Sequence, residues 1–271
     1  MSFETGLFLN KIPYIKSGSG AKNMVFFYGG SAILKSLEDS SIKDHRGIIQ
    51  EYVPEGYTYY IFGYEEYPAK EYRLNQITDD FAQIIKDKIG KAVIVGISFG
   101  GFVAMRFAAK YPELTDQLIL LISAHRFSAN GERKINRMMD LAKNEHFYDL
   151  IKEFNLLFRR PWLNMLAGLI LWKNKENSLR GLKPGAAIIN SLAGIFSEDV
   201  YKNIDYLSNI RTKTLVIGGT QDQFFGVDEF KMTAEAIMGA KLRLFEDETH
   251  MLPIERKGDV AKVVKEFVTS G

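Results

Sequence analysis

Ser98 sits in Gly96-Ile97-Ser98-Phe99-Gly100, between the apolar run Ala92-Val93-Ile94-Val95 and the stretch Phe102 to Ala108, which reads as a helix. Strand, Gly-x-Ser-x-Gly, helix is the layout of a nucleophile elbow, in which one serine stands exposed on a sharp turn above the end of a sheet. Such a turn is tight, so the positions two before and two after the serine must be small; Gly96 and Gly100 satisfy this, and Gly101 adds further room. The motif is short, and a plain glycine turn between a strand and a helix is the alternative, so the rest of the chain has to decide.

A serine hydroxyl is a poor nucleophile at neutral pH. It needs a base within hydrogen-bond reach, and the base needs an orienting acid. The four histidines are His45, His125, His146 and His250. Reactive groups in an open parallel sheet gather at the carboxyl ends of the strands. His250 lies in such a position, in Glu246-Asp247-Glu248-Thr249-His250-Met251-Leu252-Pro253, between the last strand and the last helix. His45 falls in a polar stretch before a helix near Ile48, and His146 falls inside an insertion; both read as solvated. His125 follows a strand and could line a pocket, although a polar residue at a loop start is the simpler reading.

The acid candidate is Asp222, in Gly218-Gly219-Thr220-Gln221-Asp222-Gln223, again just past a strand. Aspartate also suits turns. Asp228 is the runner-up and looks like a helix cap. The resulting order is Ser98, Asp222, His250, the order that goes with a nucleophile elbow. A tetrahedral intermediate also needs donors for its oxyanion. The N–H of Phe99, at the start of the helix after Ser98, is one. Tyr28-Gly29-Gly30-Ser31, after an earlier strand, should supply the second through the N–H of Gly30, because glycine lets backbone approach closely.

Those groups need a scaffold. Candidate strands are Gly6 to Asn10, Ile12 to Lys16, Met24 to Tyr28, Tyr57 to Phe62, the Ala92 run, Leu118 to Ile122, Thr214 to Ile217 and Lys241 to Phe245. Several are continuously apolar, as strands covered on both faces are. Leu74, Ile77, Phe81, Ile84 and Ile85 predict an amphipathic helix over 73–89. Residues 228–239 and the Val260 to Val268 stretch predict two more. Strands alternating with helices mean an α/β protein with a mostly parallel central sheet flanked by helices. The rhythm stops between Phe127 and Leu207, which predicts a helical insertion. The expected organisation is therefore a core of residues 1–126 and 208–271 with a helical cap over 127–207.

Composition narrows the function classes. The net charge is +2 and no long basic run occurs, which disfavours nucleic acid. Cysteine is absent, which removes disulfides, thiolate metal sites and a cysteine nucleophile, and fits a reducing compartment. The N-terminus has no signal-peptide pattern, so the cytoplasm is the expected location.

Taken together, the early glycine loop, the elbow, the late acid, the late histidine and the insertion resemble the α/β-hydrolase superfamily, in its serine-nucleophile branch with a helical cap. The resemblance implies Ser98 as nucleophile, His250 as base and then acid, Asp222 as orienting carboxylate, and Phe99 and Gly30 as oxyanion donors. It implies no metal or organic cofactor. The insertion becomes a lid over an apolar pocket. Two departures stand out. Tyr28-Gly29 replaces the family's frequent His-Gly, and Phe62-Gly63-Tyr64-Glu65-Glu66-Tyr67-Pro68 lacks the frequent Asp-x-x-Gly-x-Gly-x-Ser pattern.

The leading expectation is hydrolysis of a small carboxylic ester or related acyl compound. Carbon–carbon bond cleavage or acyl transfer by the same groups, and a ligand-binding or sensor protein on the same scaffold, are the rivals. Phe158-Arg159-Arg160-Pro161-Trp162 and the apolar run after it could touch a membrane. A lid is the favoured reading, because Leu166, Leu169 and Ile170 at helical spacing suit a pocket roof. The oligomeric state is left open.

Overall fold

The computed structural model of the chain describes residues 3–37, 40–196 and 198–270. Among them, one sheet is built from β1 (Glu4–Phe8), β2 (Ile12–Ser17), β3 (Lys22–Phe27), β4 (Tyr57–Phe62), β5 (Ala92–Ile97), β6 (Thr115–Leu121), β7 (Thr214–Gly219) and β8 (Lys241–Phe245). Its strand order is β1-β2-β4-β3-β5-β6-β7-β8. β2 runs antiparallel to both β1 and β4; every pairing from β4 to β8 is parallel. The sheet is therefore mostly parallel, with an antiparallel hairpin at one edge. That hairpin starts earlier than the sequence suggests. Leu9 and Asn10, expected in the first strand, take left-handed φ values of 51° and 55° and form its turn.

The helices are α1 (Ser31–Leu34), α2 (Ser40–Tyr52), α3 (Leu74–Ile84), α4 (Phe99–Lys110), α5 (Ala129–Lys143), α6 (Phe147–Asn155), α7 (Pro161–Lys173), α8 (Lys175–Arg180), α9 (Gly185–Ile195), α10 (Ile204–Leu207), α11 (Val227–Ala236), α12 (Leu252–Glu255) and α13 (Lys257–Thr269). The expected 73–89 helix is α3 followed by a wider π-helical turn, Ile85–Ile89, that ends on Gly90 at φ 84°. α2 begins at Ser40, so His45 lies within the helix and not before it; its side chain is outside the described residues.

α3 and α4 pack together, and α10 joins α4 to α11 in the same layer, while α2 and α13 pair as a second layer. The central strands are sandwiched as a result. Val25, Phe26, Phe27, Ile94, Ile119, Leu120, Val216 and Ile217 are fully buried, which is why their sequence is continuously apolar instead of alternating. Between β6 and β7 the chain makes α5 to α10 and a short 3-10 segment, Glu198–Asn203. Ser128 caps the first of these helices, its hydroxyl accepting from the N–H of Gly131 at 3.1 Å.

Candidate active site

Ser98 links β5 to α4 with φ 51° and ψ −119°, a backbone conformation that costs a non-glycine residue energy. Its neighbours explain how the turn is held. The N–H of Ser98 donates to Leu121 O of β6 at 2.9 Å, and the N–H of Gly101 donates back to Ser98 O at 2.9 Å. A Cβ at Gly96 would lie 2.5 Å from Gly101 Cα, and one at Gly100 would lie 2.0 Å from Phe27 O. Strand, turn and helix approach so closely that both glycines are required by contact.

Asp222 and His250 follow β7 and β8. Backbone hydrogen bonds lace these two loops together: Thr220 N to Phe245 O at 3.0 Å and Gln221 N to Glu248 O at 2.8 Å. The outcome is a continuous chain of side chains. Ser98 Oγ stands 2.9 Å from His250 Nε2, and His250 Nδ1 stands 2.8 Å from Asp222 Oδ2. A carboxylate only accepts, so Nδ1 carries the proton and Nε2 presents its lone pair to the hydroxyl. Asp222 Oδ1 accepts from the N–H groups of Phe224 at 2.8 Å and Phe225 at 3.0 Å, which fixes the carboxylate. The imidazole is gripped by Phe224 edge-on at 4.8 Å and by Phe225 at 5.9 Å between ring centres.

The sequence-predicted residues Ser98, Asp222 and His250 are thus brought together from three separate strand ends. Gly30 and Phe99 sit beside them. Gly29 lies against the serine, since a Cβ there would be 3.5 Å from Ser98 Cβ. Gly30 caps α1 and Phe99 opens α4. Among the described residues, neither N–H has a protein acceptor. The other candidates lie elsewhere. Asp228 is exposed in the first turn of α11, and His146 is exposed before α6. His125 is buried, with Nδ1 3.0 Å from Thr233 Oγ1; burial, helped by the charge of Arg126, pushes its imidazole down to about 4. It does not line the cavity described next.

Ser98 and His250 open into a cavity of about 270 Å³. Its walls include Ile97, Ile122, Phe127 and Phe196, and Ile135, Ile151, Phe154, Leu157 and Leu171 reach in from the segment between β6 and β7. Beyond Ser98 and His250, polar lining is sparse: Tyr28, Ser31, Lys35, Tyr52, Asn155 and Ser178. Two of these are turned toward backbone, Tyr52 donating to Pro253 O at 2.8 Å and Asn155 to Ile151 O at 2.7 Å. One expectation is corrected. Leu166, Leu169 and Ile170 do not roof the pocket; they are exposed on the outer side of α7, and Leu171 alone of that helix lines the cavity. The helix is apolar all round, so spacing could not say which side faces inward.

Three supporting residues carry no sequence signal. Gln223 accepts from His250 N at 3.1 Å through Oε1 and donates to Leu157 O at 3.0 Å, tying the histidine loop to the inserted helices. Tyr64, deep in the core, donates its hydroxyl to Tyr28 O, just ahead of the Gly29-Gly30 turn. Lys183, just before α9, donates to Ala32 O at 2.9 Å and Tyr64 O at 3.3 Å. Its backbone N–H donates to Leu34 O at 2.8 Å. The segment carrying Gly30 is therefore clamped from both sides.

Known proteins share this plan. A deep-sea metagenome enzyme, the α/β hydrolase MGS-M2, superposes with a TM-score of 0.78 at 18% identity, covering 98% of this chain and 97% of that one. The 2-hydroxymuconate semialdehyde hydrolase of Pseudomonas sp. strain CF600 is 26% identical over 76% of this chain and 73% of its own length. The monoacylglycerol lipase ABHD6 of Bos taurus is 26% identical over 65% of this chain, and the match spans 54% of that lipase. Residues 62–257 match the family described as the alpha/beta hydrolase fold. With most of the sequence inside that match, the chain belongs to the alpha/beta hydrolase family.

Proposed function

We propose that this hydrolase cleaves small carboxylic esters, or closely related acyl compounds, through an acyl-enzyme on Ser98. The observation that carries the reading is the unbroken hydrogen-bonded chain from Ser98 Oγ to His250 at 2.9 Å and from His250 to Asp222 at 2.8 Å, at the floor of an apolar cavity. A cavity of about 270 Å³ lies at the small end of ligand pockets, which run from about 300 Å³ upward. That size suits a small acyl or leaving group. The segment 127–207 acts as the cap that excludes water from it.

His250 Nε2 takes the proton from Ser98 Oγ as the oxygen attacks the substrate carbonyl carbon. The negative charge collects on the former carbonyl oxygen, between the N–H groups of Gly30 and Phe99. Asp222 holds the imidazole in the required tautomer and stabilises the imidazolium. His250 then delivers its proton to the departing alkoxide, and the C–O bond breaks. Water, deprotonated by His250, attacks the acyl-enzyme and releases the acid. The test is hydrolysis of an activated short-chain aryl ester by wild type and by Ser98→Ala. Wild type should exceed the variant by on the order of 10⁴-fold or more; equal rates would remove the proposal.

Similarity to a 2-hydroxymuconate semialdehyde hydrolase keeps carbon–carbon cleavage as a second reading. The same three residues would serve it, and a panel of esters against diketones separates the two by which class gives the higher kcat/KM.

A further inference from the structure

Helix α7 is apolar around its whole circumference, yet none of its residues is buried. A helix of that composition belongs either in a protein core or in lipid. Trp162, Met165, Leu166, Leu169, Ile170 and Trp172 are each between 45% and 74% exposed. All six recur at the three- and four-residue spacing that makes one continuous stripe along the outer side.

The stripe is held in place from beneath. Asn164 accepts from Phe158 N and donates to Phe158 O, both at 2.9 Å, which fixes the start of the helix. Just before it, Arg159 N donates to Glu255 Oε2 at 3.0 Å, and the Arg159 guanidinium pairs with Glu248 at 3.4 Å. Leu171, on the inner side, lines the cavity. An apolar plate of fixed orientation therefore stands directly above the proposed acyl site.

Charge says what covers it. Arg159 and Arg160 precede the helix, Lys173 closes it and Lys175 follows; no acidic residue occurs from residue 154 to 175. Arg160 and Lys173 are exposed and form no ion pair among the described residues. A second copy of the chain is a poor match. A two-fold pairing of α7 with itself sets cation against cation, either Arg160 on Lys173 or each on its own equivalent. An anionic lipid surface complements both the stripe and its basic ends. Tryptophan at each end of the stripe suits the boundary between headgroups and acyl chains.

We propose that α7 docks the enzyme on anionic lipid bilayers, with the Met165–Ile170 stripe shallowly inserted and Arg160 and Lys173 against the headgroups. Apolar substrates would then enter the cavity from the membrane side. Both tryptophans of the chain lie on this helix, so their emission reports this face alone. The full chain is mixed with vesicles of equimolar phosphatidylglycerol and phosphatidylcholine, and separately with phosphatidylcholine alone. Expected are a blue shift of emission, quenching by brominated acyl chains and co-sedimentation with the anionic vesicles only. Met165→Glu combined with Leu169→Glu, at exposed positions that leave folding intact, should abolish all three. Arg160→Gln with Lys173→Gln should lower the partition on the order of 25-fold, about fivefold per basic residue. The readout is independent of catalysis and should be the same in Ser98→Ala. Unchanged emission with protein left in the supernatant, equal binding to neutral vesicles, or a lipid-independent dimer that buries the tryptophans would each overturn the proposal.

Discussion

Replacing Asp222 by asparagine separates chemistry from folding at this site. The carboxylate makes three hydrogen bonds: Oδ2 to His250 Nδ1 at 2.8 Å, and Oδ1 from the N–H groups of Phe224 and Phe225 at 2.8 and 3.0 Å. An asparagine keeps an oxygen for the two backbone donors and turns its NH₂ toward the imidazole. The ring must then accept at Nδ1, so its proton moves to Nε2, where it faces Ser98 Oγ. A ring protonated at that nitrogen cannot take the serine proton. The loss should be about 10⁴-fold in kcat, equivalent to about 5.4 kcal/mol in the barrier. Asp222→Ala removes the same function and also leaves two buried N–H groups unpaired. At about 1–3 kcal/mol each, it should lower stability by roughly 2–6 kcal/mol while Asp222→Asn lowers it little. Initial rates on an aryl ester, paired with urea unfolding of both variants, read the two effects. Asp228→Asn serves as the control and should leave rate and stability near wild type, since that residue is exposed. An Asp222→Asn enzyme within tenfold of wild type would refute the assigned role.

Lys183 makes stability depend on pH. Burial lowers its ammonium from 10.5 to about 8, against the opposing pull of Glu66 and Glu65. The folded value is the lower one, so the unfolded chain binds more protons in between. Stability from this group therefore grows as pH rises through that window and is lost as pH falls through about 8. Wild type should gain on Lys183→Met by up to ~3 kcal/mol from this group between the two values, read by urea unfolding across pH; parallel pH curves would contradict the burial. Gly100→Ala places a methyl group 2.0 Å from Phe27 O and should cost ~1–3 kcal/mol and most of the activity; a wild-type melting curve and rate would show that the elbow has slack.

Much of the scaffold is legible in the residues because burial on both faces leaves a plain mark. β4 has the bounds that its apolar run suggests, and Ser98, Asp222 and His250 each stand where a parallel strand must hand over to a helix. What was hidden depends on long-range contact. Nothing in Leu9-Asn10 marks a turn as strongly as a glycine would, so the first hairpin was displaced. Gln223, Tyr64 and Lys183 act through partners far away in sequence, and no local pattern announces a lysine whose ammonium ends on two core carbonyls. The orientation of α7 escapes the sequence for a physical reason. Helical spacing locates a buried face only when the opposite face is polar, and α7 has no polar face to give it direction.

The most direct test of the central claim is covalent labelling by a fluorophosphonate, with the adduct located by mass spectrometry. The cavity is lined by three serines, Ser31, Ser98 and Ser178, so the label has a choice. Only Ser98 has an imidazole nitrogen 2.9 Å away to accept its proton. A single adduct on Ser98, formed in wild type and absent in His250→Ala, is the predicted result. An adduct on Ser31 or Ser178, or labelling of Ser98 that proceeds equally without His250, would contradict it.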